Sequence, residues 1–357
     1  MEKSFKKMKV LVSALAAVLV LICAMLLMTG TAHAATKYQL ASGFMTSGQY
    51  RADFGQNGNE RTALAGGYYW TEWGGSPAAS KLYYSKTEDG AGTLIGKTVN
   101  TDSLIRNLDA RILTNGSKVY YTVESTKTRT WQEGSKTGIY CGSVNGSKAK
   151  LVKTITQKAG NGKLQLVSVY GGKLYYRVNY SVYGDYARRT PLYSLDLKTK
   201  KVKKVSGDFD SSYTYNSGGD RYLYGASFGK DGLRIFDCKK DKFIRTISTA
   251  RVQGSAIDGG RLYYLVTNGE KDYTKIYSAS RSGADRKPVL EGLPYNTWVD
   301  VISKDYICYR INDGLDGHIY MTATGEDRKL DQMDYQNYIK ENPHGANVYT
   351  GSGVLRG

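Results

Sequence analysis

The residues best able to carry out chemistry are few, and the first is a serine between two glycines. Gly225, Ser227 and Gly229 match the G-x-S-x-G nucleophile elbow, whose serine hydroxyl attacks an acyl carbon. That elbow needs a strand before the serine and a helix after it. Here a predicted strand precedes Ser227 and a short loop to another strand follows it. We therefore interpret the match as a chance pattern in a glycine-rich chain.

Two acidic turn sequences resemble known motifs without completing them. Segment 87–94 resembles the S-x-D-x-G-x-T-W Asp-box of sialidase-like propellers, but it lacks the glycine and the tryptophan of that motif. Segment 313–317 has Asp-Gly pairs that suggest calcium, but the alternating Asp residues and the distal Glu of a calcium loop are missing. We interpret both segments as ordinary turns.

Histidines and cysteines do not form a recognisable site in the sequence. His318 lies beside a predicted strand and His344 lies near the C-terminus, and neither has partners at metal-ligand spacing. Cys141, Cys238 and Cys308 are scattered over predicted strands, which argues against a disulfide framework and for buried free thiols. The sequence predicts no catalytic residue, no metal site and no cofactor.

Aromatic and arginine side chains in the longer loops are better candidates, because Trp, Tyr and Arg dominate binding hot spots. Such side chains stack on sugar rings or anchor a protein ligand. The candidate ligand-binding residues are Trp73, Trp131, Arg129, Tyr183, Tyr186 and Arg188. Trp73 and Trp131 rank first. The alternative is that these rings pack between sheets, since the chain has 31 tyrosines.

The elements that must position these residues follow from a repeated hairpin. It reads Gly-Gly-Lys-Leu-Tyr-Tyr at 171–176 and Gly-Gly-Arg-Leu-Tyr-Tyr at 259–264. Looser copies lie at 66–70, 116–121, 218–224 and 304–309. The glycines supply the positive φ of tight hairpin turns, and the Val, Tyr, Ile and Thr runs favour strands.

A third strand in each unit carries Leu or Ile before an aromatic residue, and these pairs recur roughly every 40–60 residues, the size of a propeller blade. The pairs end at Tyr83, Tyr140, Tyr193, Phe236, Tyr277 and Tyr320. The sequence therefore predicts an all-β fold, a β-propeller of six four-stranded blades, with seven blades as the alternative. We place the repeats at 60–330. We expect the N-terminal segment 35–59 and the C-terminal segment 331–357 to close the ring or to build a seventh blade.

Antiparallel strands put the second-to-third loops and the blade connections at one end of every blade. These loops are long and varied, whereas the turns at the other end are short. Functional residues tend to lie on variable loops held by a rigid scaffold, so we expect the site at the long-loop end.

The second strand of the first unit carries a recognisable tetrad. Tyr69-Trp70-Thr71-Glu72 resembles the YWTD signature of low-density-lipoprotein-receptor propellers, and 275–284 resembles that family's I-x-x-A-x-x-x-G rhythm. Exported bacterial propellers of unknown function, rich in Leu-Tyr-Tyr, look similar. The resemblance covers about 60–330, with Glu72 where the motif has Asp. It implies a six-bladed, non-catalytic binding module.

The N-terminus has the features of an export signal. A lysine-rich start precedes an apolar run at 10–28, and Ala32-His33-Ala34 forms an A-x-A cleavage site. We predict a signal peptide at 1–34 and a protein that is secreted or cell-wall associated, through export of the Gram-positive type. The alternative is an uncleaved anchor, because the run approaches the ~20 residues that span a bilayer.

The chain is strongly basic. Its formal net charge is +18, and removing residues 1–34 takes away four Lys and Glu2, which leaves +15. Such charge attracts anionic partners, although lysines on exposed strand edges also prevent aggregation. We expect a monomer that binds an extracellular protein or glycan, with an anionic cell-wall polymer as a further partner and no specific nucleic acid. Membrane contact is expected only if the signal is uncleaved.

Three function classes remain open. The first is a non-catalytic binding propeller at the cell surface or outside the cell. The second is a propeller glycosidase or lyase that uses carboxylates in the central channel. The third is a basic structural protein of the cell wall that is held there by charge.

Overall fold

The computed structural model describes most of the predicted repeats. It covers residues 39–41, 61–74, 79–101, 104–108, 112–126, 135–157, 164–178, 191–207, 221–225, 232–248, 251–268, 273–294, 297–311, 316–341 and 346–347. The predicted signal peptide lies outside these residues. In the described part of the chain, no helix is both long and apolar enough to cross a membrane.

The described residues are almost entirely β-strands. The first ten strands are β1 (Gln39–Ala41), β2 (Thr62–Leu64), β3 (Gly67–Gly74), β4 (Ala79–Ser85), β5 (Thr93–Val99), β6 (Ile105–Leu108), β7 (Ile112–Thr114), β8 (Lys118–Thr126), β9 (Ser135–Ser143) and β10 (Lys150–Gln157). The next seven are β11 (Leu164–Tyr170), β12 (Lys173–Val178), β13 (Leu192–Asp196), β14 (Val202–Ser206), β15 (Tyr222–Gly225), β16 (Leu233–Asp237) and β17 (Lys242–Ser248). The last nine are β18 (Arg251–Asp258), β19 (Arg261–Asn268), β20 (Tyr273–Ser280), β21 (Lys287–Pro294), β22 (Trp298–Ile302), β23 (Tyr306–Ile311), β24 (Asp316–Met321), β25 (Asp327–Leu330) and β26 (Ala346–Asn347), and the helix α1 is Gln332–Glu341.

These strands form six antiparallel sheets, which we number in chain order. Sheet 1 is β2-β3-β4-β5, and sheet 2 is β1-β7-β8-β9-β10 with β6 added on β8. Sheet 3 is β11-β12-β13-β14, and sheet 4 is β15-β16-β17, whose preceding residues 208–220 lie outside the described part. Sheet 5 is β18-β19-β20-β21, and sheet 6 is β25-β24-β23-β22-β26.

Five of the six repeated hairpins form as predicted, and the turn of the copy at 218–224 lies outside the described residues. In the turn between β11 and β12, Gly171 and Gly172 have φ of 56° and 76°, a conformation that L side chains rarely adopt. Gly259 and Gly260 repeat this geometry between β18 and β19. A register shift recurs between the last two strands of sheets 1 to 5, which are β4 and β5, β9 and β10, β13 and β14, β16 and β17, and β20 and β21. Such bulges increase the local twist.

Consecutive sheets pack face to face through the two tyrosines of the Leu-Tyr-Tyr strand. In sheet 3, Tyr175 packs on Phe236 of sheet 4, and Tyr176 packs on the opposite side in a cluster with Ile139 of sheet 2. Further clusters join sheets 1 and 2, 4 and 5, and 5 and 6 in the same way. Neighbouring small antiparallel sheets that share their cores in chain order make this fold a β-propeller.

The tyrosine that faces the next sheet also forms a hydrogen bond across the interface. Tyr175 donates to the carbonyl of Cys238 (3.4 Å), and Tyr224 donates to the carbonyl of Arg281 (2.7 Å). Both carbonyls directly follow the third strand of the next sheet. A buried phenol needs such a partner, so this contact explains why the position carries Tyr rather than Phe.

The terminal segments differ in their pairing. β1, from the predicted segment 35–59, pairs with β7 in sheet 2, whereas β26 pairs with β22 in sheet 6. The predicted domain limits and the total of six blades, with seven as the alternative, stay predictions. The helix α1 was not apparent in the sequence, because its ten residues are too short for a clear 3.6-residue pattern.

Helix α1 covers the face of sheet 6 that lies away from sheet 5. Tyr335 is buried against Gly317, where a Cβ atom would lie 2.5 Å from the Tyr335 ring. Its hydroxyl donates to Asp300 Oδ2 (2.8 Å), which also accepts a hydrogen bond from Arg310 Nε (2.6 Å). Burial raises the pKa of Tyr335, so the phenol stays protonated and keeps donating to the carboxylate.

We expect Tyr335→Ala to lower the free energy of unfolding by about 3–5 kcal/mol, because it leaves a cavity over Gly317 and removes one of the two hydrogen bonds that Asp300 Oδ2 accepts. Gln336→Ala, on the exposed side of the same helix, should change it by less than about 0.5 kcal/mol. Urea denaturation of both variants measures the difference. Equal stability of the two variants would contradict the docking of α1.

A second buried carboxylate fixes the turn after β16. Asp237 is 1% exposed and accepts hydrogen bonds from Arg221 Nε (2.9 Å) and Nη2 (2.6 Å). The backbone N–H of Lys239 also donates to it (2.9 Å). The Arg221 guanidinium and this backbone contact hold the pKa of Asp237 below its usual value.

A lowered folded-state pKa means that Asp237 stabilises the protein above the unfolded pKa of about 3.9 and stops doing so as the pH falls through the folded value. We expect Asp237→Asn to cost about 2 kcal/mol at pH 7, and the difference from wild type to shrink as the pH falls below about 4. Denaturation curves at pH 7, 4 and 2.5 measure this. A cost that is independent of pH would show that the carboxylate charge is not involved.

Candidate functional site

The sequence motifs for catalysis lie in ordinary surroundings or outside the described residues. Segment 87–92 forms the turn between β4 and β5, where the N–H of Gly90 donates to the carbonyl of Thr87 (3.3 Å). Ser227 and residues 313–315 lie outside the described part. Among the described residues, no group of three His, Cys, Asp or Glu side chains could hold a metal ion.

His318 and the cysteines occupy strand positions inside or beside the packed sheets. The His318 ring stacks on Tyr309 (5.0 Å between centroids), and its Nδ1 lies 3.4 Å from Asp327 Oδ1. Cys238 and Cys308 are buried free thiols, as predicted, whereas Cys141 is half-buried. Burial raises the pKa of Cys238 and of Cys308 to about 12, so both remain protonated and unreactive near neutral pH.

The predicted ligand-binding residues mostly fall outside the described residues. Trp73 lies on β3, and its side chain is outside the described part. Arg129 and Trp131 belong to 127–134, between β8 and β9. Tyr183, Tyr186 and Arg188 belong to the undescribed connection between β12 and β13. Both connections join a second strand to a third strand, so the expected binding surface stays a prediction.

A groove at the long-loop end of sheet 2 is the strongest candidate site. Its volume is about 530 Å³. The lining residues are Leu104, Val123, Ser125, Ser135, Lys136, Gly138, Tyr140, Thr154, Thr156 and Gln157. Apart from Leu104, they come from the end of β8, from β9 up to Tyr140 and from the end of β10, and therefore bracket the connection 127–134. We call this site the sheet 2 groove.

The added strand β6 lies next to one side of the groove, because the lining residue Leu104 immediately precedes it. It pairs with the end of β8, from Ile105 opposite Thr126 to Leu108 opposite Val123. Thr101 and Leu104 exchange two backbone hydrogen bonds (2.9 and 3.2 Å), which fix Leu104 where the chain leaves sheet 1 for β6. Among the described residues, the other five sheets have no strand that corresponds to β6.

The floor of the groove depends on a glycine. A Cβ atom at Gly138 would lie 2.7 Å from Cε2 of Tyr140 and 3.2 Å from Cδ1 of Leu151. Without that atom, the strand surface beside the Tyr140 ring stays open. Tyr140 stacks on Tyr121 (5.5 Å between centroids, 12° between planes), which holds its ring in place. Burial raises the pKa of Tyr121 to about 12, so the supporting phenol stays neutral.

The remaining lining is polar. Hydroxyls come from Ser125, Ser135, Thr154 and Thr156, and an amide comes from Gln157. Ser135 Oγ donates to Gln157 Oε1 (2.9 Å), and both residues are buried. Lys136 is exposed and is the charged residue among the described lining residues. The groove can thus donate and accept hydrogen bonds beside an aromatic ring, and it offers one cation.

Sequence reasoning did not find this site. Its polar residues alternate along strands that also contribute to the core, and their convergence depends on the pairing of β8 with β9 and of β9 with β10. One signal was present, because a glycine inside a strand often marks a close approach of another group or a ligand. Gly138 precedes the third-strand pair Ile139-Tyr140 and is such a glycine.

Comparison with known proteins leaves the activity of this chain open. No family model matches the chain, and a search of curated proteins finds no match. The β-propeller domain of the trilobed protease from Pyrococcus furiosus is similar at a TM-score of 0.42 and 14% identity, over 76% of this chain and 79% of that one. Oligogalacturonate lyase in complex with manganese is similar at 0.46 and 11%, over 74% of each chain. A chain of the nidogen/laminin complex is similar at 0.30 and 10%, over 56% of this chain and 75% of that one.

We expect Gly138→Ala to lower the free energy of unfolding by about 1–2 kcal/mol, because the added methyl group forces the Tyr140 ring off its stack. Gly207→Ala is the control, since a Cβ atom there meets nothing within 4 Å. Chemical denaturation compares the two variants. A Gly138 variant as stable as the control would show that the groove floor is not closely packed.

Proposed function

We propose that this protein is an exported, non-catalytic β-propeller that binds a glycan in the sheet 2 groove. The observation that carries the proposal is the lining itself, which combines hydroxyls and an amide with the ring of Tyr140. Sugars present hydroxyls to such donors and acceptors and apolar C–H faces to an aromatic ring. A volume of about 530 Å³ is within the usual range of ligand sites.

Binding is a better fit to this groove than hydrolysis. Glycoside hydrolysis uses two carboxyl groups about 5–10 Å apart. The lining residues that the structure describes contribute no carboxylate. We therefore assign the groove to recognition, with Lys136 able to accept an acidic sugar beside neutral ones.

Export and the family resemblance belong to the same proposal. The lysine-rich start, the apolar run and Ala32-His33-Ala34 support export of a mature chain that begins at residue 35. The Tyr69–Glu72 tetrad supports a relationship to receptor-type propellers, which are binding modules. N-terminal sequencing of the secreted or wall fraction tests the export step, and a chain that retains residues 1–34 would contradict cleavage.

We expect a glycan array to identify a bound oligosaccharide and calorimetry to give its Kd. Thr154→Val and Thr156→Val each remove one hydroxyl at nearly constant shape and should weaken Kd about five- to tenfold. Thr246→Val, at an exposed position on β17 of sheet 4, should leave Kd unchanged. Trp131→Ala tests the connection that the groove brackets, and we expect weaker binding there too.

The possible outcomes distinguish an error in the location of the binding site from an error in the proposed function. Binding that survives both Thr154→Val and Thr156→Val would place the glycan elsewhere on the protein. No glycan binding at all, with a folded protein, would refute the proposed function.

A further inference from the structure

The exposed positive charge is concentrated on three consecutive sheets. The relevant part of every sheet is its outer strand (β5, β10, β14, β17, β21 or β25) together with the turn before it. These segments are 85–99, 144–157, 196–206, 237–248, 281–294 and 321–330. The segments of sheets 2, 3 and 4 together hold twelve cationic side chains and three carboxylates, a net charge of +9. The segments of sheets 1, 5 and 6 hold seven cations and six carboxylates, a net charge of +1.

We call the twelve cations the basic patch. They are Lys148, Lys150, Lys153, Lys198, Lys200, Lys201, Lys203, Lys204, Lys239, Lys240, Lys242 and Arg245. All are exposed except Lys153, which is half-buried. Lysines that only protected strand edges from aggregation would be needed on all six fourth strands, because each is the last strand of its sheet. The uneven distribution therefore needs another explanation.

The patch is continuous from one sheet to the next. Lys203 of sheet 3 lies 2.9 Å from Asp241 of sheet 4, and Lys173 contacts the same carboxylate at 3.2 Å. Leu197, in the turn of sheet 3, packs on the core between sheets 2 and 3. Each basic turn thus lies against the preceding sheet, so a long ligand could follow the three turns in succession.

The three carboxylates within the patch already serve the fold. Asp237 is held by Arg221, and Asp241 joins sheets 3 and 4. Asp196 accepts hydrogen bonds from the backbone N–H groups of Lys198 (3.0 Å) and Thr199 (2.6 Å), which shape its turn. Most of the lysine charge is therefore left to face solvent and its ions.

The chemistry of the patch indicates the class of ligand. Eleven lysines and one arginine provide flexible point charges, which suit a chain of repeated phosphates better than a single planar group. The aromatic residue of the three segments is Phe243, which is half-buried under Arg234 (3.8 Å) and packed on Phe236 (5.3 Å). The patch thus lacks an aromatic platform on which nucleic-acid bases could stack.

We propose that the basic patch binds a linear, base-free polyanion of the polyphosphate class. Its turns lie at the opposite strand ends from the sheet 2 groove, and the two sites share only β10, whose first half carries Lys150 and Lys153 and whose end lines the groove. The polymer would hold the protein by its short-turn end and leave the long-loop end open.

Titration with inorganic polyphosphate of defined length at several salt concentrations tests the proposal. Replacing Lys150, Lys201, Lys204 and Lys242 with Gln should weaken Kd at least about 30-fold at 0.1 M salt and reduce the slope of log K against log salt by roughly 3. Replacing Lys86, Lys97, Lys287 and Lys329 with Gln removes the same charge from the other sheets. That control should change Kd by no more than about threefold.

Two results would overturn the proposal. Equal losses in the two variants would mean that polyphosphate responds to net charge and not to the patch. Tighter binding of single-stranded DNA with the same number of phosphates would mean that bases are recognised. Unfolding curves of the two variants should coincide with wild type, since all eight lysines are exposed on strand or turn surfaces.

Discussion

The whole fold depends on a second strand that buries both of its faces. In sheet 3, the tyrosine that faces sheet 4 fills the next interface, and its neighbour Tyr176 fills the previous one. Because successive side chains in a strand point to opposite faces, two adjacent tyrosines join three sheets. The hydroxyl of Tyr175 then bonds a carbonyl just beyond the third strand of the next sheet. The packing thus fixes the distance between sheets 3 and 4, and the hydrogen bond fixes their relative position along the strand direction.

This packing leaves only the strand ends and the outermost strands free to vary. The short turns at one end are held by glycines and aspartates, as at Gly171 and Asp196. The other end carries the long connections, and in sheet 2 a groove lies there beside Gly138, next to the added strand β6. The two candidate sites lie at these two ends because the sheet faces between them are already occupied by the core.

The sequence was sufficient for the features that depend on neighbouring residues. Glycine pairs predicted the hairpins, and the Leu or Ile before an aromatic predicted the third strands, since both are local requirements of backbone and pleat. It was not sufficient for contacts between distant segments. Docking of Tyr335 on Gly317 joins a helix to a strand, and the groove needs β8, β9 and β10 side by side with Leu104 next to them. The candidates Trp131 and Arg129 follow from their residue types and from their place in a long second-to-third connection, whereas the groove that this connection flanks follows only from the pairing of β8, β9 and β10.

The uneven charge distribution distinguishes the charged residues that stabilise the fold from those that the fold does not require. The patch turns of sheets 3 and 4 retain the carboxylates that their geometry uses, as with Asp196 for backbone N–H groups and Asp237 for Arg221. The surrounding lysines make few structural contacts among the described residues, and Lys203 with Asp241 is the ion pair among them. Sheets 1, 5 and 6 build the same turns with nearly balanced charge, so the excess of lysine is not a condition for folding. A charge that folding does not require, and that adds repulsion between neighbours, is best explained by a partner that neutralises it.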